Sequence, residues 1–257
     1  MMSLLHALPR RLRAISIHVL ASGVIAALAS VLVFFIWYPH PYGEMTGSLQ
    51  LFVLLTGVDL VLGPMLTGVV AAPGKPLREL ARDVALIACV QLAAFGYGIY
   101  TIALARPAVI AFEVDRLRVV TAVEIETESL ANAPPELRRL SWTGPVLLAA
   151  RKPTDPDQAF RAMSKGLGGV DLSMDPANWS DIAGARAEML KAARPVSDLL
   201  RQYPEASPQV EAIAVRARID RSRLRFLPLM SRRASWVALV REPDAQIVGH
   251  LPLEGFF

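Results

Sequence analysis

Three long apolar runs near the N-terminus limit what this chain of 257 residues can fold into. They cover residues 15–38, 49–72 and 84–105, and each is 22 to 24 residues long with at most one charged side chain. At a rise of about 1.5 Å per residue, a helix of this length crosses a hydrocarbon core of about 30 Å. Because a buried helix of a soluble protein seldom lacks a polar face over such a length, the runs predict three transmembrane helices.

The first run follows a basic segment, as the core of a cleaved signal peptide would. It is longer than such a core, however, and it ends in Trp37, Tyr38 and Pro39 rather than in small residues around a cleavage site. Aromatic side chains at this position are typical of the interface between membrane and water. We therefore expect the first run to be a retained span.

The basic residues of the short loops predict how the chain crosses the membrane. Residues 39–48, between the first two runs, contain no Lys or Arg, whereas six basic residues lie on the opposite side of the spans: Arg10, Arg11, Arg13, Lys75, Arg78 and Arg82. The positive-inside rule places these six in the cytoplasm. Three spans then carry residues 106–257 to the far side, which in a Gram-negative bacterium is the periplasm.

The remaining 150 or so residues have the pattern of a small globular domain. Alternating or β-branched segments predict strands, and helical spacing of apolar residues predicts helices. We expect a strand or hairpin at 107–123, strands at 145–150, 224–230, 235–241 and 246–251, and helices at 155–167, 185–202 (broken at Pro195) and 204–217. The fold class predicted is thus a three-helix transmembrane bundle (1–105) followed by a small α+β periplasmic domain (106–257).

Composition excludes several classes of partner. The 27 Lys and Arg residues nearly balance the 23 Asp and Glu residues, so the chain lacks the basic excess that nucleic acids require. Its one cysteine, Cys89, lies in an apolar run, and its four histidines have no metal-ligand spacing. Sequence motifs of hydrolases, nucleotide-binding proteins and zinc proteases are missing. We expect no metal, no cofactor and no enzymatic activity.

Asp59 is the charged residue inside the second run, where an unpaired carboxylate costs about 2.5 kcal/mol or more. It needs a polar partner, and Gln91 in the third run is the candidate that matches it in depth. Two interpretations follow from this placement. Asp59 either contacts a client helix or moves protons, or it is a hydrogen-bonded lock inside the protein's own bundle.

Small residues follow Asp59 along the second run. Gly63 and Thr67 form a small-xxx-small pair that lets helices approach closely, and Pro64 frees the carbonyl of Leu60. This stretch would suit a groove for another transmembrane helix, or the packing of the protein's own helices. The turn from Tyr38 to Tyr42 likewise could contact a partner at the membrane surface or only fix the end of the first span.

Five arginines lie between residues 216 and 225. If Arg221, Arg223 and Arg225 belong to one strand, they share one face of it. Such a face could meet an acidic partner or phospholipid headgroups, or it could simply be solvated.

Several segments together carry a family resemblance. They are FFIWYP at 34–39, GVDLVLGP at 57–64, QLAA at 91–94, YGIYT at 97–101 and FEVDR at 112–116. In this order and layout the sequence resembles the TfpX/TfpZ family of type IV pilin accessory proteins, chiefly over residues 15–125.

The resemblance implies a non-enzymatic, chaperone-like inner-membrane protein that supports pilin stability or pilus assembly. Its expected partner is a type IV major pilin, which before assembly has one apolar helix in the membrane and a periplasmic head, and membrane lipid surrounds the spans. The candidate partner-binding residues are Tyr38, Tyr42, Asp59, Gly63, Pro64 and Gln91. The alternatives are a membrane-anchored envelope enzyme, for example one that transfers glycans, and an envelope scaffold or sensor unrelated to pili.

Overall fold

The structure, a computed structural model, describes residues 9–72 and 74–257. The chain divides into two compact units. One contains the three long apolar helices, and the other comprises Pro41–Thr46 together with Ala105–Phe257.

The first unit confirms the predicted helices. Helix α1 (Arg10–Val31) continues as a π-helix through Leu32–Trp37, and α3 (Ser48–Val70) and α4 (Leu77–Leu104) follow. All three are long and apolar enough to cross a membrane. Helix α4 begins seven residues before the predicted apolar run, because its charged first turns are also helical although they lie outside the apolar stretch. The apolar pattern marks the length of a span rather than the length of its helix.

The three helices pack around α3, which contacts both α1 and α4. Near the Trp37 end they share a cluster of buried side chains that includes Val33, Phe52, Phe95 and Ile102. The phenol of Tyr38 is buried in the same region and donates a hydrogen bond of 2.7 Å to the carbonyl oxygen of Ile102. This bond links the end of the first long helix to the third.

The second unit is built on one mixed sheet of eight strands, in the order β4-β3-β1-β2-β6-β7-β8, with β5 also paired to β6. The strands are β1 (Pro107–Glu113), β2 (Arg116–Thr121), β3 (Val146–Ala150), β4 (Trp179–Asp181), β5 (Arg194–Pro195), β6 (Leu224–Met230), β7 (Ser235–Arg241) and β8 (Gln246–Leu251). Neighbouring strands are antiparallel except for β1 with β3 and β2 with β6.

Five helices complete this unit: α2 (Tyr42–Thr46), α5 (Pro156–Leu167), α6 (Arg186–Ala192), α7 (Val196–Gln202) and α8 (Ser207–Ala217). The α+β class is as predicted, and so are the hairpin of β1 and β2, the helix at 156–167 and the three C-terminal strands. The helix predicted at 185–202 is split at Pro195, as expected, because Arg194 and Pro195 form the short strand β5 between α6 and α7.

Alternate residues of each strand point to opposite sides of the sheet. Both of these sides are covered by other parts of the unit. Ile110 and Phe112 of β1 join a core that includes Met189 of α6. Val109 and Ala111 face the other way, into a second core with Trp179 and the loops around it. Helices α7 and α8 cover the β6–β8 part of that second face.

Helix α2 is the part of this unit that the sequence does not predict. It lies in the loop between the first two long helices, yet Tyr42 and Met45 are buried in the core with Phe112 and Trp236. The hydroxyl of Ser231 donates a hydrogen bond of 2.7 Å to the carbonyl oxygen of Met45. The second unit is therefore assembled from two separate stretches of chain.

The predicted arginine face is wrong. Arg221 and Arg223 lie in a 3-10 turn before β6, and only Arg225 is on the strand. The carboxylate of Asp220 accepts a hydrogen bond from the backbone of Ser222, which favours the turn over an extended strand at this point.

Candidate intramembrane site

The pairing predicted between Asp59 and Gln91 is present. The side-chain amide of Gln91 donates hydrogen bonds to Oδ1 of Asp59 at 2.8 Å and to its carbonyl oxygen at 3.2 Å. These bonds join the middle of α3 to α4. A partner of this kind is what an acidic side chain needs within an apolar span.

Gly63 allows this contact. It lies one turn beyond Asp59 on α3, and a side chain added there would overlap the amide group of Gln91. Pro64 and Thr67, on the same helix, are buried inside the unit. The small residues of α3 therefore pack against the protein's own helices. This was the second of the two interpretations of this stretch.

A second polar contact links α3 to α1. His18 Nδ1 and Thr67 Oγ1 share a hydrogen bond of 2.7 Å, and Thr67 is fully buried. His18, near the start of the first run, and Thr67, near the end of the second, lie at similar depths because the two runs cross in opposite directions. The helical spacing of Gly63 and Thr67, one turn apart, does place both on the face that meets other helices.

Between α1 and α4 a groove of about 460 Å³ remains open. We call it the α1–α4 groove. Most of its lining is apolar, and its polar lining residues are His18, Ser22, Asp59 and Gln91. Ala14 and Ala21 of α1 and Ala81 and Ala88 of α4 line it together with larger apolar side chains such as Phe95.

One buried hydrogen-bond acceptor at the groove has no donor among the described residues. Among the described residues, the Gln91 oxygen Oε1 is buried and has no hydrogen-bond partner. A buried acceptor without a donor costs about 1–3 kcal/mol. The Asp59–Gln91 contact thus combines two good hydrogen bonds with one unmatched acceptor.

The two tyrosines proposed for a membrane rim are both buried. Tyr38 is 2% exposed, and Tyr42 is 7% exposed in the core of the second unit. The Tyr42 hydroxyl lies 3.4 Å from His250 Nε2, and burial raises the pKa of its phenol to about 12. Partner contact by these residues stays a prediction, and the intramolecular contacts of both rings disfavour it.

The groove suits an apolar helix better than a metal or a polar small molecule. Within residues 9–72 and 74–257, no three His, Cys, Asp or Glu side chains are close enough together to hold a metal ion. Apolar surfaces that include small side chains and a few hydrogen-bonding groups are typical of places where transmembrane helices associate. Fold and groove together define a membrane protein with three candidate spans, an intramembrane groove and an α+β domain.

Comparison with known proteins gives the family. The family model described as "Fimbrial assembly protein FimB" matches residues 6–47. The "Fimbrial assembly protein, serogroup I" of Dichelobacter nodosus is 34% identical over 241 residues, covering 93% of this chain and 94% of that protein. The serogroup E1 protein of the same organism is 33% identical over the same shares. The chain belongs to this family of fimbrial assembly proteins.

A further relative, the "Fimbrial assembly protein, serogroups C1 and C2" of Dichelobacter nodosus, is 44% identical over 117 residues. This match covers 46% of the chain and 89% of that protein. No solved structure matches the chain.

Proposed function

We propose that this fimbrial assembly protein is a chaperone-like inner-membrane factor that holds the apolar helix of a type IV pilin subunit in the α1–α4 groove. The observation that carries this proposal is the groove itself, which is open and mostly apolar and has four polar residues in its lining. A pilin before assembly has one apolar helix in the membrane, and that helix needs a partner surface of this chemistry.

The walls of the groove fit a helix for a physical reason. Lipid chains are as apolar as leucine, so helices associate in a membrane through close packing and hydrogen bonds rather than through the hydrophobic effect. Alanines 14, 21, 81 and 88 would let a helix backbone approach closely.

The proposal includes an orientation: the N-terminus and the Lys75–Arg82 segment in the cytoplasm and the second unit in the periplasm. The six basic residues named above support it through the positive-inside rule. A second argument comes from Pro41–Thr46, which belongs to the same unit as Ala105–Phe257. The loop after the first span and the C-terminal domain therefore share one side of the membrane, as three spans require.

The periplasmic domain would contact the pilin head while the spans hold the pilin helix. Two findings support a role in pili: the resemblance to the TfpX/TfpZ pilin accessory proteins over residues 15–125, and relatives of nearly full length that are named for fimbrial assembly. A client with one membrane helix and one periplasmic head matches a protein that has a surface in both places.

Site-specific photo-crosslinking in cells tests the groove. A photoreactive amino acid is placed at Ala21 or Ala88, which line the groove, and pilin adducts are detected with an antibody against pilin. Leu28 and Leu86 are matched controls on the same two helices, since each is more than two-thirds exposed and neither lines the groove. We expect pilin adducts from positions 21 and 88 and few from positions 28 and 86.

Equal labelling at all four positions would show that pilin meets the bundle without using the groove. Absence of adducts from any position, with both proteins abundant, would remove pilin as the client. That result would favour the alternative functions, an envelope enzyme or a scaffold unrelated to pili.

We also propose that the chain has no enzymatic activity. Two acids that an active site could use are in ion pairs: Asp171 lies 2.6 Å from Arg118, and Asp115 lies 2.8 Å from Arg116. Burial raises the pKa of Glu113, and nearby arginines oppose that shift. Variants Glu113→Gln, Asp115→Ala and Asp171→Ala should therefore keep normal pilus assembly, whereas loss of assembly by a stable variant of this set would favour the enzyme alternative.

A further inference from the structure

A crevice of about 580 Å³ opens in the second unit where β1 and β3 end. These two strands are parallel neighbours, with Phe112 opposite Ala149, so their carboxyl ends lie side by side. In open α/β sheets, ligands bind in crevices outside the carboxyl ends of the strands. Helix α6 provides another wall of this space. We call it the β1–β3 crevice.

Three positively charged side chains line the β1–β3 crevice. Arg151 and Lys152 follow β3 directly, and Lys191 is in the last turn of α6. All three are exposed, and none makes an ion pair with a described residue. Glu188 is the acidic residue of the lining. Positive charge therefore predominates in the crevice and has no partner within the described part of the chain.

The guanidinium of Arg151 is held in place by the backbone. Its Nη2 donates a hydrogen bond of 3.0 Å to the carbonyl oxygen of Gly184. A guanidinium carries five N–H donors in a planar fork, so this bond orients the group and leaves it further donors. Such a fork matches a carboxylate, which can accept two parallel N–H bonds.

The rest of the lining is apolar and consists mostly of short side chains. Ala149, Ala150, Ala185 and Ala192 leave space that larger side chains would fill, and Phe112, which is buried, also lines the crevice. The lining therefore suits an apolar group that lies next to a negative charge.

Val114 lines the crevice in a conformation that valine rarely adopts. Its φ is 60° in the tight turn between β1 and β2, where the backbone N–H of Asp115 donates a hydrogen bond of 2.7 Å to the carbonyl oxygen of Glu113. This region of φ is unfavourable for β-branched residues. Val114 is also 55% exposed, so it contributes little to the core of its own unit. Residues strained in this way concentrate where a protein contacts a ligand or a partner.

We propose that the β1–β3 crevice binds an acidic segment of the pilin head, with a carboxylate beside the three basic side chains and an apolar side chain against Val114. The inference rests on the proposed function, which supplies the pilin as partner, and it adds the surface and the chemistry of the contact. Complementary charges select and orient a partner. An inorganic anion would use the charges alone, whereas an acidic peptide uses both the charges and the apolar lining.

Photo-crosslinking from inside the crevice tests this inference. A photoreactive amino acid replaces Ala192 in the full chain, in cells that produce pilin, and adducts are detected with an antibody against pilin. Val215 on α8 is the control position, because it is 68% exposed and does not line the crevice. We expect pilin adducts from position 192 and few from position 215. In opened membranes, the yield from position 192 should fall between about 0.1 M and about 1 M salt, since the Debye length shortens from about 10 Å to about 3 Å.

Charge reversal tests the chemistry of the contact. In the chain with the photoreactive residue at 192, Lys152→Glu together with Lys191→Glu should lower the pilin adduct about fivefold or more. Both lysines are exposed and without ion pairs, so this variant should fold, as thermal unfolding checks. Arg139→Glu together with Arg216→Glu is the matched control. It changes the net charge equally, and both arginines are exposed and lie outside the crevice, so the adduct should stay at the parent level.

Val114→Gly distinguishes binding from folding. Glycine adopts a positive φ without strain, so the unfolding temperature should stay the same or rise. Loss of the exposed side chain should at the same time reduce the pilin adduct from position 192. A lower unfolding temperature with an unchanged adduct would show that Val114 serves the fold alone and would overturn its role in binding.

Pilin adducts from position 192 that resist both salt and charge reversal would overturn the acidic chemistry of the partner. Adducts with another copy of this chain in place of pilin would assign the crevice to self-association. If positions 21 and 88 of the α1–α4 groove give pilin adducts and position 192 gives none, this inference fails and the proposed function stands. Absence of adducts from all three positions would overturn both.

Discussion

Gln91 on α4 donates a hydrogen bond of 2.8 Å to the Asp59 carboxylate on α3, at the floor of the α1–α4 groove. The contact is possible because Gly63 leaves space for the Gln91 amide. The two interpretations of Asp59 are therefore compatible: the residue locks two of the protein's own helices and at the same time lines a groove in which another helix could lie.

Two substitutions of Asp59 distinguish the effect of its charge from the effect of its polarity. Asp59→Asn keeps a carbonyl oxygen that accepts from Gln91, so it should keep most of the protein level and most of the function. Asp59→Leu removes the acceptor for the buried Gln91 amide and should destabilise the membrane unit by about 1–2 kcal/mol. Protein level in membranes and surface pili measure the two effects, and wild-type behaviour of Asp59→Leu would refute any role for its polarity.

A double-mutant cycle measures the Asp59–Gln91 contact itself. Asp59→Leu, Gln91→Leu and the double variant are compared by unfolding in detergent. Because the partners touch, the two losses should not add, and the coupling should be about 0.6 kcal/mol and at most about 1.7 kcal/mol. Additive losses would mean that the hydrogen bond contributes nothing in the folded membrane unit.

Gly63 and Gly57 offer a matched pair on one helix. A side chain at position 63 would overlap Gln91, whereas one at position 57 has no atom within 4 Å. Gly63→Ala should therefore displace Gln91 and cost about 1–3 kcal/mol, and Gly57→Ala should be neutral or slightly stabilising because alanine favours helix. Detergent unfolding of both variants checks this expectation, which fails if position 63 tolerates alanine as well as position 57 does.

Much of the fold can be predicted from the sequence because it depends on patterns within short stretches of the chain. A bilayer demands about 20 apolar residues in a row, so the three long helices are visible in the sequence. The C-terminal strands are short runs rich in apolar residues, and a turn at residues such as Pro243 separates the last two. The Asp59–Gln91 pair was also predictable, since two polar residues at similar depth in apolar spans have few other partners.

The features that the sequence does not show depend on distant contacts. Tyr42 and Met45 lie in a short loop with no periodicity, and only the three-dimensional structure shows that they complete the core of a domain that resumes at residue 105. The helix at 156–167 is predicted from its pattern, but the pattern does not show which of its sides faces the domain. Its actual orientation is set by Lys165, whose partners Glu126 and Asp175 lie 39 and 10 residues away.

Loss of the Tyr42 ring should destabilise the second unit, although Tyr42 lies in the loop between the first two long helices. The ring is buried in the core, so Tyr42→Ala should cost about 3–5 kcal/mol, as removal of a buried aromatic side chain does. Tyr42→Phe keeps the ring and loses only the long 3.4 Å contact with His250, so it should cost less than about 1 kcal/mol. Limited proteolysis and thermal unfolding of the full chain measure both, and an intact domain in Tyr42→Ala would contradict the role of α2 in the core.

Tyr42 should also make the domain sensitive to alkaline pH. Burial raises its pKa to about 12 in the folded protein, above the value of about 10 of an exposed tyrosine. The folded state thus binds the proton more tightly, and this contribution is complete below pH about 10 and is lost as pH rises towards 12. The loss is on the order of 3 kcal/mol. Tyr42→Phe should remove this part of the decline, and an identical pH profile for both proteins would refute it.

Lys165 should control the attachment of α5 without affecting the rest of the domain. Its hydrogen bonds to Asp175 and Glu126 raise its pKa, so the attachment is complete at neutral pH and weakens only as pH rises above the ordinary lysine range. Partly exposed ion pairs contribute about 0–1 kcal/mol each, and 1 kcal/mol changes a local opening equilibrium about fivefold. Lys165→Ala should therefore raise hydrogen exchange across residues 156–167 roughly fivefold or more, with the β1–β2 amides unchanged.

Arg161→Ala is the matched control, because Arg161 lies on the same helix face and makes no ion pair within the described part of the chain. If Arg161→Ala raises exchange in α5 as much as Lys165→Ala does, the helix is held by its general packing rather than by the Lys165 ion pairs.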